Sequence, residues 1–284
     1  MTPPTGPALV VGCGYLGRRV AEAWRDDGRP VYALTRSRAG ELRAAGLTPV
    51  TGDVTDPASL AGLSDLPPLA TVLYAVGLDR RAGRSMREVY VEGLRNVLAA
   101  LPPVACWVHV SSTGVYGQTD GAVVTEESPT EPREESGRVV LEAERTLLAA
   151  RPGATVLRFA GIYGPGRWLR KAALLAGEAY TADAEKWLNL IHLADGVRAV
   201  RCAETHAGGG VFNVADDEPV RRRDFYTESA RLLGAPPAVF TPPATPAAEA
   251  NRRVSNALAR RVLGFAPRYT SYREGLAASV GDSC

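Results

Sequence analysis

Cysteine is scarce in this chain, and its four copies are widely separated. Cys13, Cys106, Cys202 and Cys284 form no Cys-x-x-Cys pair. Structural zinc sites and disulfide frameworks use cysteines at close, regular spacings. We therefore expect no disulfide framework and no bound metal, and we expect Cys13 and Cys106 to be small buried residues.

The chain also lacks a strong net charge. Its 33 lysine and arginine residues nearly balance its 31 aspartate and glutamate residues, which leaves a net charge of +2. Nucleic acids and anionic membrane surfaces bind strongly basic surfaces, so neither is expected as a partner. Lysine occurs only at Lys171 and Lys186, and arginine supplies the remaining positive charge.

No stretch of the sequence is apolar enough to enter a membrane. No run approaches the ~20 apolar residues that span a bilayer, and residues 1–4 lack the basic start of a signal peptide. The length of 284 residues, of which 45% are hydrophobic, allows one large or two small domains with a sizeable core. A reduced, cytoplasmic globular protein is expected.

Short apolar runs alternate with helical patterns through the first 160 residues. The runs at 8–11, 30–35, 48–51, 71–76, 105–111 and 154–159 predict strands. Between them, apolar residues recur on one helical face, as for Leu16, Val20 and Trp24. Apolar strands that alternate with amphipathic helices indicate a parallel sheet covered on both faces. The fold class expected is α/β, a doubly wound Rossmann domain.

This regularity fades after about residue 160. Residues 161–166 read as a loop, 211–214 as a strand, and 167–177, 222–234 and 251–264 as helices, with a proline-rich connector at 235–248. These segments predict a small, mostly helical C-terminal substrate lobe. The expected domains are 1–160, to which segments near 187–215 return, and 161–284.

The most informative motif follows the first strand. Gly12-x-Gly14-x-x-Gly17 has the spacing of a dinucleotide-binding turn. The first glycine allows the tight turn, the second lets the backbone approach the pyrophosphate, and the third lets the helix pack on the strand. The anion then lies at a helix N-terminus. We therefore predict a nicotinamide dinucleotide at this turn.

The end of the second predicted strand bears on the choice between NAD and NADP. An acidic residue there would bind the ribose 2′-hydroxyl of NAD, but this chain has Thr35-Arg36-Ser37-Arg38. Guanidinium groups bind phosphate well, so NADP is favoured and NAD remains open. A solvated loop in an arginine-rich protein is the alternative interpretation. The residues expected at the cofactor are Gly12, Gly14, Tyr15, Leu16, Gly17, Thr35, Arg36, Arg38, Asp53, Val54, Ala75, Val76 and Gly77, with Asp53 and Val54 beside the adenine.

Several further motifs resemble those of the extended short-chain dehydrogenase/reductases, the family of nucleotide-sugar epimerases and dehydratases. They follow one another in the family's order along nearly the whole chain, at 12–17, 52–56, 108–117, 157–166, 190–195 and 212–219. The resemblance implies a Rossmann fold, a bound nicotinamide cofactor and a small-molecule substrate. By analogy it also implies a homodimer.

The family's acid/base pair is missing from this resemblance. Members place a Tyr-x-x-x-Lys pair on a helix, and the corresponding positions here are Ser136 and Val140. In the family, the tyrosine exchanges a proton with the substrate oxygen, and the lysine charge lowers its pKa. Because a serine hydroxyl is a very poor acid, the chain resembles an atypical, YeeZ-like member. A neighbouring helix, which often supplies an assisting asparagine, has Tyr90.

The resemblance leaves two catalytic candidates. Ser112 occupies the family position beside the reacting carbon, and Tyr116 is either a proton donor or a residue that positions substrate. Glu134 and Glu135 are weaker candidates, since carboxylates at a helix start usually interact with the helix dipole.

Several other polar residues have both a functional and a structural interpretation. Tyr163 follows a predicted strand, and His192 is expected to pack at a strand-to-helix junction. His109 is expected to be a hydrogen-bonded core residue. Arg252 and Arg253 resemble basic residues that meet substrate phosphates.

Two classes of function therefore remain open. The first is an NAD(P)-dependent oxidoreductase or epimerase-like enzyme with an altered active site, acting on a small or nucleotide-linked polyol. The second is a catalytically silent NAD(P)-binding sensor or regulatory protein.

Overall fold

The structure, a computed structural model, describes residues 4–243 and 249–280. Cys284 and residues 244–248 of the expected proline-rich connector lie outside this range. The chain folds into two compact units. The first contains the chain up to Val115 with Glu134–Arg158 and Ala199–Phe212, and the second contains Tyr116–Arg133, Phe159–Arg198 and the chain from Asn213 onward. The domain bounds expected at residue 160 stay a prediction.

Within the described residues, short strands alternate with helices along most of the chain. The strands are β1 (Ala8–Val11), β2 (Val31–Thr35), β3 (Thr48–Thr51), β4 (Thr71–Tyr74), β5 (Cys106–Ser112), β6 (Val123–Val124), β7 (Thr155–Phe159), β8 (Gly161–Tyr163), β9 (Tyr180–Thr181), β10 (Trp187–Leu188), β11 (Leu190–His192), β12 (Gly210–Val214), β13 (Val220–Arg221), β14 (Phe240–Thr241) and β15 (Arg253–Val254). The α-helices are α1 (Tyr15–Asp26), α2 (Ala39–Ala44), α3 (Gly93–Ala100), α4 (Glu135–Ala150), α5 (Lys171–Leu175), α6 (Leu193–Glu204), α7 (Arg222–Leu233), α8 (Ala257–Leu263) and α9 (Tyr272–Val280). In these ranges, no helix is both long and apolar enough to cross a membrane.

The larger sheet has seven strands in the order β12-β7-β5-β4-β1-β2-β3. β1 pairs in parallel with β2 on one side and with β4 on the other, so that Leu9 lies opposite both Tyr32 and Val72. The strand order therefore reverses at β1 and β4. Ligands of such sheets bind beyond the carboxyl ends of the strands at this reversal. The doubly wound α/β fold expected from the sequence is confirmed.

The central strands owe their composition to burial on both faces. Every residue of β1 and β4 is buried, which explains why these strands are continuous apolar runs rather than alternating ones. α1 buries the face that contains Leu16, Val20 and Trp24. The sequence periodicity therefore identified the packed face of this helix correctly.

A buried ion pair joins distant parts of the first unit. Arg29, just before β2, donates from Nη1 to Oε1 of Glu204 at the end of α6, over 2.8 Å. Glu204 also accepts a hydrogen bond from Trp24 Nε1, at 2.6 Å, and one from Thr71 Oγ1, at 2.9 Å. Removing one partner of a pair like this leaves an uncompensated buried charge and destabilises a protein strongly.

A second buried ion pair fixes α4 against the sheet. Arg158 of β7 donates from Nη2 to Glu144 Oε2, at 2.7 Å, and the hydroxyl of Ser111 in β5 donates to the same carboxylate. All three side chains are buried. The position of α4 is therefore set by these interior hydrogen bonds.

The second unit has an aromatic core. Tyr163, Phe225 and Tyr272 are fully buried there, and the rings of Tyr163 and Phe225 meet edge to face with centroids 6.4 Å apart. β8 pairs in parallel with β11, which places Tyr163 beside His192. The remaining strands of this unit form short pairs, β6 with β15, β9 with β14 and β10 with β13.

Three expectations about the later segments were wrong. The segment 161–166 was expected to be a loop, but its first three residues form β8, because they pair with β11. The helix expected at 251–264 begins only at Ala257, because Arg253 and Val254 pair with Val123 and Val124. The helix expected at 167–177 is reduced to Lys171–Leu175.

We predict that the Tyr163→Phe substitution stabilises the protein. The Tyr163 hydroxyl is buried and has no hydrogen-bond partner among the described residues, and an unsatisfied buried polar group costs about 1–3 kcal/mol. The free energy of unfolding in urea should therefore rise by about 1 kcal/mol. Tyr116→Phe is the matched control, since the buried Tyr116 hydroxyl donates to Asn213 Oδ1 at 2.9 Å and its loss should destabilise. An equal destabilisation by both substitutions would contradict the prediction.

We also predict an acid-sensitive stability that arises from His109. Burial lowers the pKa of the His109 imidazole from 6.5 to about 4, and among the described residues its Nδ1 atom has no hydrogen-bond partner. Between these two pH values the unfolded chain binds a proton that the folded chain does not. The free energy of unfolding should therefore fall by about 3 kcal/mol as the pH drops from 6.5 to 4.

The measurement is a series of urea unfolding curves between pH 4 and pH 7.5 for the wild type and His109→Leu. The variant lacks this titration, so its stability relative to the wild type should improve steadily below pH 6.5. Parallel pH profiles would refute the assignment.

Candidate functional site

The glycine turn after β1 is closed by backbone contacts at two of its three glycines. Gly12 has a φ of +97°, and a Cβ atom there would lie 2.4 Å from the carbonyl of Ala75. A Cβ atom on Gly17 would lie 2.2 Å from the carbonyl oxygen of Gly12. No side chain fits at either position without moving backbone. Glycine is therefore required at 12 and 17 to bring α1 close to β1 and to the end of β4.

The middle glycine differs from the other two because its surroundings are open. A Cβ atom on Gly14 would meet nothing within 4 Å. Gly14 is also the N-cap of α1, where it supplies no side-chain cap, and the first turn of α1 contains no acidic residue. A helix start of this kind favours an anion through its dipole. The open space beside it fits the pyrophosphate of a dinucleotide.

The polar residues at and after the end of β2 lie at the same edge of the sheet as the glycine turn. Thr35 Oγ1 accepts a hydrogen bond from the Arg38 amide, at 3.0 Å. The Arg38 guanidinium in turn donates from Nη2 to the carbonyl oxygen of Cys13, at 2.9 Å. Arg38 therefore adds positive charge directly beside the glycine turn.

Arg36 contacts a different element. Its Nη2 atom lies 2.9 Å from Oδ2 of Asp79, in the segment after β4. Asp79 was not among the residues expected at the site. An exposed acid in a loop gives no signal in a single sequence, because its partner is 43 positions away.

Asp53 and Val54, expected beside the adenine, lie in a hydrogen-bonded turn after β3. Asp53 Oδ1 accepts hydrogen bonds from both the amide and the hydroxyl of Thr55, each at 2.8 Å. Asn96 of α3 donates from Nδ2 to the carbonyl oxygen of Val54, at 2.8 Å. The first two bonds shape the turn, and the bond from Asn96 holds it against α3.

The segment that follows β4 contains Ala75, Val76 and Gly77. The Ala75 amide donates to the Val11 carbonyl, at 2.7 Å, which continues the β1–β4 pairing up to the glycine turn. The Leu78 amide donates to the hydroxyl of Tyr90, at 3.0 Å. Tyr90 lies in a π-helical turn over Glu88–Glu92, a type of turn that is frequent at functional sites.

The two catalytic candidates have different environments. Ser112 ends β5 and is half-buried, and its Oγ atom accepts a hydrogen bond from the Gly114 amide, at 3.0 Å. Tyr116 belongs to the second unit and is fully buried, with its hydroxyl donating to Asn213. The environment of Tyr116 is thus that of a structural tyrosine.

The two residues that the sequence resemblance aligns with the family's acid/base pair lie on α4. Ser136 and Val140 are both half-buried, and the Ser136 hydroxyl bonds to the carboxylate of Glu134 at 3.3 Å. Neither side chain is a cation, and neither is an acid of useful strength near neutral pH. Glu135 is exposed in the first turn of the same helix.

The remaining candidates have packing roles in the second unit. His192 is buried, its Nδ1 atom accepts a hydrogen bond from the Ala194 amide at 3.2 Å, and its ring lies 4.3 Å from that of Tyr269. Burial raises the pKa of Tyr163 well above its usual range. Arg253 donates from Nε to the carbonyl oxygen of Gly121, at 2.9 Å, and the Arg252 carbonyl accepts a hydrogen bond from Asn189.

Comparison with known proteins identifies the family of this chain. The model of the NAD-dependent epimerase/dehydratase family matches residues 8–215. The YeeZ protein of Escherichia coli (strain K12) is 32% identical over 244 residues, which cover 81% of this chain and 85% of that protein. A 3-diazoavenalumate denitrifying reductase from a Streptomyces species is 28% identical, with 94% of this chain and 98% of that protein covered.

A solved structure extends the likeness to the fold. MoeE5 in complex with UDP-glucose and NAD superimposes with a TM-score of 0.78 at 26% identity, covering 97% of this chain and 98% of that chain. The matched residues 8–215 include the glycine turn, both arginines after β2 and the segment after β4. The chain belongs to the NAD-dependent epimerase/dehydratase family.

Proposed function

We propose that this protein is an NAD(P)-dependent oxidoreductase or epimerase-like enzyme that acts on a small or nucleotide-linked polyol. One observation supports the cofactor most directly. Gly12 and Gly17 are closed by backbone contacts, whereas the space at Gly14 is open and faces an uncapped helix start. A turn that served only to pack α1 would not need glycine at position 14.

The proposed cofactor residues are those of the glycine turn and the loops beside it. The turn and the first residues of α1, Tyr15 and Leu16, would hold the pyrophosphate. Arg36 and Arg38 would bind a ribose 2′-phosphate, which makes NADP the proposed cofactor and NAD the alternative. When bound, a nicotinamide dinucleotide supplies hydride transfer.

Proton transfer needs a group other than the family's tyrosine. We propose the Tyr90 phenol, because it accepts a hydrogen bond from the Leu78 amide. That bond occupies a lone pair of the phenol oxygen and leaves the phenol proton available for donation. Ser112, whose Oγ atom also accepts a backbone N–H, would orient the substrate oxygen with its own proton. Tyr116 would then have a structural role, through the hydrogen bond that its hydroxyl donates to Asn213.

The substrate class is proposed from the relatives and from the chain itself. MoeE5 binds UDP-glucose, and the Streptomyces relative is a reductase. Little chain is available between Gly166 and Ile191 to cover a large ligand, which favours a smaller substrate. A homodimer and a cytoplasmic location stay predictions.

A catalytically silent NAD(P)-binding sensor is the second candidate. The observation that favours it is the pair Ser136 and Val140 on α4, since neither can transfer a proton or lower a pKa. The two candidates differ in one property, which is turnover of a bound cofactor.

We predict that Gly14→Asp weakens dinucleotide binding while the fold is retained. Nothing lies within 4 Å of the new Cβ atom, and an aspartate at an N-cap stabilises a helix start. Its carboxylate would occupy the pyrophosphate position and repel the anion. The dissociation constants for NADPH and NADH, measured by calorimetry, should rise at least about tenfold.

Gly153→Asp is the matched control. Gly153 is also exposed with open space at its Cβ position, but it precedes β7 and therefore lies at the opposite edge of the sheet. Its substitution should leave both dissociation constants unchanged. Wild-type protein that binds none of the four nicotinamide dinucleotides would refute the proposed function.

We further predict that Tyr90→Phe lowers kcat about 100-fold, the usual contribution of a general acid or base. Protein loaded with reduced cofactor would be mixed with keto forms of simple and of nucleotide-linked polyols, and the loss of nicotinamide absorbance followed. The dissociation constant of the cofactor should change little. Tyr32→Phe, a half-buried tyrosine of the same unit, is the control. Cofactor binding without turnover of any substrate would favour the sensor, and an unaltered kcat in Tyr90→Phe would exclude Tyr90 as the proton donor.

A further inference from the structure

An exposed ion pair connects the two loops beside the glycine turn. β2 and β4 are the two neighbours of β1, and the segments that follow them contain Arg36 and Asp79. The Nη2 atom of Arg36 lies 2.9 Å from Oδ2 of Asp79, and the two side chains are 49% and 46% exposed. The pair therefore reaches from one side of the turn to the other, at the edge where the dinucleotide is proposed to bind.

We propose that Asp79 is a specificity-determining residue that weakens the binding of NADP relative to NAD. It does so by competing with the ribose 2′-phosphate for the guanidinium of Arg36. This inference rests on the proposed function, in which Arg36 lies at the adenosine ribose.

The competition follows from the charges involved. A 2′-phosphate that binds Arg36 either displaces the Asp79 carboxylate or takes a position beside it, where two anions repel each other. The 2′-hydroxyl of NAD carries no charge and leaves the ion pair intact. The carboxylate therefore lowers the affinity for NADP and has little effect on NAD.

Arg38 is held in a different way. Its Nη2 atom donates to the carbonyl oxygen of Cys13, a neutral acceptor that leaves the guanidinium charge uncompensated at that contact. Arg38 therefore attracts a 2′-phosphate without the opposition that Arg36 meets. The two arginines after β2 therefore contribute unequally to binding of the 2′-phosphate, and Asp79 causes the difference.

The charge of Asp79 can be removed without removing its structural role. Its Oδ1 atom accepts a hydrogen bond from the Arg81 amide at 3.0 Å, which caps the short 3₁₀ turn at Arg80–Ala82. Asparagine caps such turns equally well. Asp79→Asn therefore tests the carboxylate charge while the turn is kept.

The experiment measures dissociation constants of NADPH and NADH by calorimetry for the wild type and Asp79→Asn. The affinity for NADPH should rise between about threefold and tenfold, the size expected of one solvated charge near a phosphate. The affinity for NADH should change less than about twofold, because no charge in the ribose is affected. The gain for NADPH should shrink as salt is added.

Two further variants test whether the change in NADPH affinity is specific to Asp79 and acts through Arg36. Asp120→Asn is the matched control, since Asp120 Oδ1 accepts a hydrogen bond from the Ala122 amide, at 3.1 Å, in the same turn geometry on an exposed loop. It should change neither constant. Arg36→Gln should remove the effect of Asp79→Asn on NADPH, because the competition acts through the guanidinium.

The outcomes distinguish this inference from the function on which it rests. If the wild type binds NADPH or NADH but Asp79→Asn leaves their affinity ratio unchanged, the inference is overturned and the proposed cofactor site stands. The inference is also overturned if Asp79→Asn raises the affinity for NADPH equally in the wild-type protein and in the Arg36→Gln variant. If the wild type binds no dinucleotide, both fail.

Discussion

The contact between the backbone of Gly12 and the backbone at Ala75 and Val76 is the constraint on which the candidate site depends. A Cβ atom at Gly12 would lie 2.5 Å or less from atoms of both neighbours. This approach lets the chain leave β1 directly over the end of β4 and start α1 at once. Because Gly17 packs just as closely on Gly12, the helix start is held against the strand. The space at Gly14 then remains the one opening in the turn.

The position of α4 does not depend on Ser136 and Val140, the residues that the sequence resemblance aligns with the family's acid/base pair. Its interior face is fixed by Glu144, which bonds Arg158 and Ser111, whereas Ser136 and Val140 lie on its half-buried side. The helix can therefore keep its place in the fold while its catalytic positions change. This separation would allow a chain of the epimerase/dehydratase family to combine an ordinary Rossmann sheet with the altered site proposed above.

Local patterns predicted the elements that depend on neighbouring residues. The strands at 8–11 and 48–51, the packed face of α1 and the glycine turn all follow from short windows of sequence. The strand β8 was missed because its partner, β11, comes much later in the chain, and the start of α8 was misplaced for the same reason. Asp79, the ion-pair partner of Arg36, could not be predicted from local sequence either. His109 was expected to be hydrogen-bonded, and its burial was correct, but at its Nδ1 atom the described residues supply no partner.

The ion pair of Arg29 and Glu204 has a consequence for synthesis of the chain on the ribosome. Arg29 and Trp24 are made early, whereas the carboxylate that satisfies both is made 175 and 180 positions later. Until then the Arg29 guanidinium lacks its carboxylate partner, and the Trp24 indole N–H lacks its native acceptor. The nascent sheet cannot close around them at low free energy, so the first unit should become stable only after α6 has left the exit tunnel.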